Sequence, residues 1–308
     1  MSSPIRKTAS ARPAFAVRTI HVLAWLSGVL VPAVILTLLA FLIIRGSGAL
    51  GLTLFFGDTP PFYAITGRLP VWDGIWPACI GTISLLVLTM VLALVPGIGC
   101  GVYLACYASG KVKASLGFCI DLLAGIPSVV MGLFGFLLML ALRRTITPDA
   151  EPSMLLAASC LALLVLPVLV STTRGTLEAL PDRLHLTASA LGMDTWQALR
   201  HVLLPASTRG ILGGILLAAG RAAEDTAVIM LTGAIANAGL PAGLTSRFEA
   251  LPFSIFYRAS QYRDAADLQQ GFATTLVLLA ISVSLLSAAA MLQKKLEKQW
   301  QGQGNEHR

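Results

Sequence analysis

The chain has 308 residues, of which 56% are hydrophobic and 12% are charged, and its formal net charge is +7. A typical soluble domain carries about 25% charged residues, and a soluble protein of this length could not bury so much apolar surface. The composition therefore excludes an ordinary soluble protein and indicates a polytopic membrane protein, in which positive charge is more typical of cytoplasmic loops than of nucleic-acid binding.

Six segments are apolar and long enough to cross a bilayer, since a spanning helix needs about 20 apolar residues. We place these spans at residues 21–45, 75–108, 117–142, 153–171, 208–236 and 271–292. The first lacks the small-residue cleavage site of a signal peptide, so we expect it to be a retained helix. In the second, we expect the sequence VPGIG at 95–99 to bend the helix.

The distribution of Lys and Arg predicts the orientation of this all-α fold. Cations are concentrated in the N-terminal segment 1–20, after the second and fourth spans, and in the tail 293–308. The positive-inside rule places these segments in the cytoplasm, so both termini are expected there and the loop 46–74 is expected to be periplasmic. Arg143 and Arg144 run against this trend.

The loop at about 174–207 is unusually rich in helix signals. The sequence predicts two short helices, LHLTASALG and MDTWQALRHVLL, with Gly192 ending the first and Asp194 capping the second. Apolar residues including Leu184, Ala188 and Trp196 form a surface stripe. Periodicity alone leaves two alternatives, which are a pair of helices that docks a partner and a pair that lies on the bilayer.

The fifth span contains the charged stretch GRAAEDTAVIMLTG at 220–233. On one continuous helix, Arg221 lies three and four residues before Glu224 and Asp225, so we expect both carboxylates to meet the guanidinium. Charges inside a membrane are costly and mark function, and the arginine fork suits an oxyanion. The alternatives are a latch, in which Arg221 exchanges between its carboxylates and a passing anion, and a permanent ion pair that fixes helix register.

A second candidate site lies in GIPSVVMGLFG at 125–135. Pro127 and Ser128 are expected either to begin a helix whose free amides point at an anion or simply to form a packing kink. We also expect several glycines to allow close helix contacts, namely Gly132, Gly135, Gly210, Gly213 and Gly214. The sequence contains no P-loop, G-x-S-x-G or H-E-x-x-H motif, so we expect no catalytic residue, no metal site and no cofactor bound by this chain.

Four segments resemble ABC importer permeases. LTASALGMDTWQALRHVLLP is similar to the coupling-loop signature of that family, in which a glycine is followed nine residues later by a segment ending in Leu-Pro. Gly192 and Pro205 match, whereas Leu186, Thr187 and Ala188 stand where the family has Glu-Ala-Ala. GIPSVVMGLFG, GILLAAGRAAEDTAVIMLTGA and LPFSIF resemble segments of phosphate importer permeases, most closely the PstA-type subunit.

The resemblance covers roughly residues 75–292 and implies a MetI-like ABC permease core in the bacterial inner membrane. It implies a second permease of the PstC type or a second copy of this chain, an ATPase dimer that carries ATP and Mg, and a periplasmic substrate-binding protein. The implied substrate-pathway residues are Arg221, Glu224, Asp225, Thr226, Pro127 and Ser128. The implied ATPase-coupling residues are Leu186, Thr187, Ala188, Gly192, Trp196, Leu204 and Pro205.

Two departures from the family pattern leave other functions open. The family has Gly-Glu-Thr where this chain has Glu224, Asp225 and Thr226, so Thr226 matches and Glu224 replaces a glycine. Alternatives within the same class are a permease for sulfate, molybdate or a phosphonate, and a non-transporting sensor subunit. An alternative from another class is a membrane enzyme that uses Glu224 and Asp225 as an acid/base pair, although transport without catalysis by this chain is the expected activity.

Overall fold

The computed structural model describes residues 14–145, 148 and 151–303, so most of the predicted segment 1–20 and the end of the tail lie outside the described residues. The described part contains thirteen α-helices. They are α1 Ala14–Gly46, α2 Leu52–Phe56, α3 Pro61–Ile65, α4 Trp76–Cys106, α5 Gly110–Ala124, α6 Ser128–Thr145, α7 Met154–Glu178, α8 Asp182–Ala190, α9 Thr195–Ala198, α10 Leu204–Glu224, α11 Thr226–Thr232, α12 Leu251–Gln261 and α13 Ala265–Gln303.

The prediction of six membrane helices is confirmed. Six stretches are helical, long and apolar enough to cross a membrane, and they fall on α1, α4, α6, α7, the α9–α10 region and α13. α4 continues as a helix through Pro96, and α7 extends seven residues beyond the predicted end at 171. The orientation of the termini stays a prediction.

The third and fifth predicted spans are each interrupted, so their prediction as single helices is wrong. The segment 117–142 is divided between α5 and α6, because Pro127 has no N–H to donate and disfavours a helical conformation at Ile126. The segment 208–236 is divided at Asp225, whose backbone is extended with φ −76° and ψ 109°. Each interruption falls beside a predicted pathway residue.

The core of the molecule lies between α4 and α7, with α10 packed on α7, α11 on α6 and α1 on α13. The closest contacts between neighbouring helices occur at glycines. A Cβ on Gly97 of α4 would lie 2.7 Å from Cβ of Leu169, so α4 and α7 are separated by little more than backbone. The buried cluster that joins α4, α6, α7 and α11 includes Leu85, Met131, Leu161, Leu164, Val228 and Ile229.

The predicted role of the small residues is confirmed at four positions and wrong at one. A Cβ on Gly132, Gly135, Gly210 or Gly214 would come within 2.9 Å of an atom of a neighbouring helix. A Cβ on Gly213, by contrast, would meet nothing within 4 Å. Gly210 and Gly214 lie where α10 packs on α7, whereas Gly213 borders the open groove beside that contact.

Candidate functional site

The charged stretch lies at a helix break and not on one continuous helix. Arg221 and Glu224 end α10 with exposed side chains, whereas Asp225 is half-buried between α10 and α11. The Asp225 carboxylate accepts a hydrogen bond of 2.8 Å from the Val228 N–H and so caps α11. Among the described residues, no ion pair within 4.0 Å joins Arg221 to either acid.

The expected pairing of both carboxylates with Arg221 is therefore wrong. The physical reason is that Asp225 leaves the helix, which removes the i, i+4 geometry that the pairing requires. Its carboxylate finds a backbone N–H instead, as short acidic side chains do at helix starts. Arg221 is left exposed near the end of α10, as is Glu224. The half-buried Thr226 is the first residue of α11, on the other side of the break.

Pro127 and Ser128 begin α6, as one of the two alternatives predicted. The Pro127 carbonyl accepts from the N–H groups of Val130 and Met131, at 3.0 and 3.1 Å. Pro127 itself is exposed and Ser128 is half-buried. Their contact with an anion stays a prediction.

The two predicted pathway segments lie on neighbouring helices that run in the same direction. A Cβ on Gly132 of α6 would lie 2.9 Å from the Ala227 carbonyl oxygen of α11, and one on Gly135 would lie 2.5 Å from Thr232. Because the residue numbers rise together along both helices, their first residues lie at the same end. The fold thus brings the start of α6 to the same end of this helix pair as the charged break.

The coupling loop has the two short helices that the sequence predicts. α8 ends at Ala190, and Gly192 follows with a left-handed φ of 73°, a conformation that glycine adopts without strain. Asp194 then caps α9 by accepting from the Gln197 N–H at 2.7 Å, while the Gln197 side chain accepts from the Asp194 N–H at 3.1 Å. This reciprocal pair fixes the start of the second helix.

The second short helix continues directly into the membrane. A π-turn over Leu199–Leu203 joins α9 to α10, which begins at Leu204. Pro205 is the second residue of α10, where its missing N–H costs little. α9, the π-turn and α10 therefore form one continuous helical path from the coupling loop to Arg221, which lies about six turns beyond Ala198.

One side of the coupling loop is anchored and the other is exposed. Leu199 and Leu203 are buried against Leu177 of α7, and Ala188 is buried as well. Facing outward are three large apolar side chains, Leu186, Leu191 and Trp196, with exposed fractions of 69%, 70% and 59%. Thr187 and Gly192 are also exposed, whereas Leu204 and Pro205 are half-buried. An apolar surface on a rigid support is typical of a docking site.

A polar cavity of about 530 Å³ lies at the end of the molecule opposite the coupling loop. Its walls are the loop after α2, the segment before α12, α12 itself and the start of α13. Sequence reasoning missed this cavity. Glu249 on its wall is only 6% exposed, and its carboxylate accepts from the Gly239 N–H at 2.9 Å. Arg258 donates to the Gln270 side-chain oxygen, and to the Asp73 carbonyl at 3.3 Å.

Burial raises the pKa of Glu249 to about 7, although the amides of Gly239 and Ala238 and the nearby Arg258 act in the opposite direction. A carboxyl group in the apolar stretch FEALPF was the signal that could have indicated this site. A buried carboxyl group must either accept hydrogen bonds from neighbouring groups or stay protonated.

We expect Glu249→Gln to stabilise the protein at pH 8 and to have little effect below pH 4.5. The folded-state pKa of about 7 lies above the ordinary value of 4.5, so the folded state binds the proton more tightly and stability falls as the pH rises between these values. At about 1.4 kcal/mol per pKa unit, the ionised form costs about 3 kcal/mol above pH 7. Gln keeps the hydrogen-bond acceptor without the charge.

Thermal unfolding in detergent between pH 4.5 and 8 measures this effect. Asp58→Asn, which removes an exposed carboxyl of the same cavity, serves as the control. Equal unfolding curves for wild type and Glu249→Gln at pH 8 would contradict the prediction.

Comparison with known proteins gives a consistent set of matches. Residues 97–298 match the family model described as binding-protein-dependent transport system inner membrane component. The chain is 32% identical over 235 residues to the phosphate transport system permease protein PstA 1 of Mycobacterium tuberculosis (strain CDC 1551 / Oshkosh), covering 75% of each chain. It is 30% identical over 169 residues to the phosphate transport system permease protein PstC of Mesorhizobium japonicum, covering 48% of this chain and 52% of that relative.

The fold also has solved relatives. An inward-facing structure of the MetNI methionine ABC transporter superposes with a TM-score of 0.56 at 19% identity, covering 77% of this chain and 99% of the matched chain. The expected MetI-like architecture is confirmed at the level of the fold.

Proposed function

Because this chain belongs to the family of binding-protein-dependent transport system inner membrane components, we propose that it is a phosphate-importing permease subunit. At the coarser level the chain is a multi-pass inner-membrane permease subunit of an ABC importer. The substrate is the proposed part. It is supported by the likeness to permeases named for phosphate transport and by an exposed arginine at a break inside the fifth predicted span.

The exposed apolar surface of the coupling loop supports the proposal that an ATPase dimer binds this chain. The loop presents Leu186, Leu191 and Trp196 outward from a surface that is anchored on α7. ATP and Mg would be held by the partner ATPase. Closure of that dimer would move α9, and the π-turn would pass the movement to α10 and to Arg221.

The second permease and the delivery protein complete the proposed assembly. The relatives of this chain include a PstA and a PstC permease, which supports a pair of related permeases, with a PstC-type chain as the proposed partner. A periplasmic binding protein would deliver phosphate at the end of the molecule that holds the polar cavity beside Glu249. Ser128 at the start of α6 lies at the same end of its helix pair as Thr226 and would assist Arg221 in holding the anion.

Reconstitution tests the proposed substrate. The complete transporter in liposomes is expected to import labelled phosphate in an ATP-dependent manner, and sulfate or molybdate in tenfold excess is expected not to compete. Import of one of those anions in place of phosphate would overturn the phosphate assignment. Phosphate-stimulated ATP hydrolysis without import would instead indicate a sensor subunit.

We expect Trp196→Ala to weaken the binding of the ATPase to this chain. Losing a large, 59% exposed indole from the docking surface is expected to weaken ATPase co-purification by about tenfold or more, since truncation of an aromatic hot spot commonly costs at least 2 kcal/mol. Trp72→Ala removes an indole of similar exposure, 61%, from the opposite end of the molecule. If both variants retain the ATPase equally, Trp196 is not part of the docking surface.

A further inference from the structure

The polar cavity beside Glu249 carries more negative than positive charge. Its walls come from parts of the chain that are distant in sequence, and its volume of about 530 Å³ lies within the range of small-molecule sites. Six charged side chains line it, four carboxylates and two guanidinium groups, namely Asp58, Asp73, Glu249, Asp267, Arg258 and Arg263. With all six ionised the lining has a net charge of −2, which repels a phosphate dianion. The cavity is therefore not a binding site for the transported anion.

The carboxylates of the cavity are not neutralised by its own cations. Arg258 donates to two uncharged acceptors, the Gln270 side-chain oxygen and the Asp73 carbonyl. Burial lowers the pKa of Arg258, whereas Asp267, Asp73 and Glu249 act in the opposite direction from a longer distance. Among the residues that the structure describes, none of the six charged groups makes an ion pair within 4.0 Å. The excess negative charge is left for a ligand to balance.

Glu249 is the carboxyl group for which a counter-charge matters most. It is only 6% exposed, and the hydrogen bond that it accepts from Gly239 comes from an uncharged N–H. A buried carboxyl group without a cationic partner tends to keep its proton, and burial raises the pKa of Glu249 to about 7. A cation that enters the cavity would favour the ionised form, so binding of that cation and loss of the proton are linked.

The rest of the lining indicates which kind of cation fits. In the described part of the chain, no group of three His, Cys, Asp or Glu side chains could hold a metal ion, so the carboxylates do not converge on one point. Three aromatic side chains also line the cavity, Trp72, Tyr257 and Tyr262. Aromatic faces attract ammonium and guanidinium groups. An organic cation can contact separate carboxylates and a ring face at the same time, whereas a single metal ion cannot.

We propose that the cavity binds an organic cation through a guanidinium or primary ammonium group, with Glu249 and Asp73 as its counter-charges. The group comes either from a free amine or from a basic side chain of a partner protein. A bound cation that contacts Asp73, Glu249 and Asp267 would join the loop before α4, the segment before α12 and the start of α13. The inference goes beyond the proposed function, because it does not depend on the anion that is transported.

Calorimetric titration of the purified full-length chain in detergent with agmatine tests the site. Agmatine carries a guanidinium and a primary ammonium group, and both stay charged between pH 6 and pH 8. Because Glu249 is about one-tenth ionised at pH 6 and about nine-tenths ionised at pH 8, we expect agmatine to bind about tenfold more weakly at pH 6. Glutarate, a dianion of similar length, is expected not to bind. Absence of agmatine binding at pH 8, or equal affinity at the two pH values, would overturn the proposal.

Two variants test the residues of the site. Glu249→Gln is expected to weaken agmatine binding at pH 8 by about tenfold and to remove its pH dependence, because the titrating charge is lost. Asp73→Asn is expected to weaken binding by about tenfold and to keep the pH dependence. Asp121→Asn, which removes an exposed carboxyl of α5 outside the cavity, is the control and is expected to bind agmatine like the wild type. Wild-type binding by a folded Glu249→Gln variant overturns the assignment.

Competition distinguishes the two sources of the cation. Binding of the periplasmic binding protein to the complete transporter is measured at pH 8 with and without saturating agmatine. Binding that agmatine weakens by about tenfold or more identifies a basic side chain of that protein as the ligand, whereas unchanged binding identifies a free amine. Phosphate uptake is a separate readout, so a transporter that imports no phosphate contradicts the proposed function and leaves the agmatine titration to decide the site.

Discussion

Replacing Arg221 by alanine is expected to abolish phosphate uptake while the protein remains folded in the membrane. The guanidinium is exposed, and in the described part of the chain it has no carboxylate within ion-pair distance in Glu224 or Asp225. Its removal therefore breaks no internal contact of that kind. What is lost is the fork that would bind two oxygens of the anion, and hydrogen bonds to charged groups are worth about 1.5–3 kcal/mol each, or tenfold or more in affinity.

Uptake of labelled phosphate by cells that lack their own importer measures this effect, with the amount of membrane-inserted protein as the control for folding. Arg221→Lys keeps the charge but not the fork and is expected to retain partial uptake. Wild-type uptake by Arg221→Ala would contradict a substrate role. It would leave the residue with a structural role at the break between α10 and α11.

Glu224 becomes easier to interpret once the helix break is known. On a continuous helix it would compete with Asp225 for Arg221, but Asp225 is occupied as the cap of α11. Glu224 is thus the one carboxylate of this stretch that is exposed at the same helix end as Arg221. The latch hypothesis itself stays a prediction.

Local signals in the sequence predicted the spans and the coupling loop well. Apolar length determines the six membrane helices, and Gly192, Asp194 and Gln197 act within a few residues of one another to end one helix and begin the next. Such signals depend on neighbouring residues only, so they can be recognised without knowing the tertiary fold.

The break at Asp225 and the polar cavity beside Glu249 could not be predicted in the same way. Hydrophobic periodicity continues through Asp225, and only the capping bond to Val228 distinguishes a helix start from a helix interior. The cavity depends on contacts distant in sequence, such as the buried hydrogen bond of 2.9 Å from the Leu251 N–H to the Thr82 hydroxyl. Nothing in either segment alone indicates that α4 will meet the segment before α12.

Gly81 beside Thr82 makes that meeting possible, and Gly81→Ala is expected to destabilise the protein by about 3 kcal/mol. A Cβ at this position would lie 2.0 Å from the Glu249 carbonyl oxygen, which is backbone and cannot swing aside. The segment that carries Glu249 would have to move away from α4, and the Leu251–Thr82 hydrogen bond would be lost with it.

Gly99→Ala is the control, because it makes the same change on the same helix where a Cβ meets nothing within 4 Å. There alanine is expected to stabilise the helix by up to about 1 kcal/mol. Thermal unfolding of the two variants separates the effects. A similar unfolding temperature for both would mean that the segment that carries Glu249 is not held against α4 by this contact.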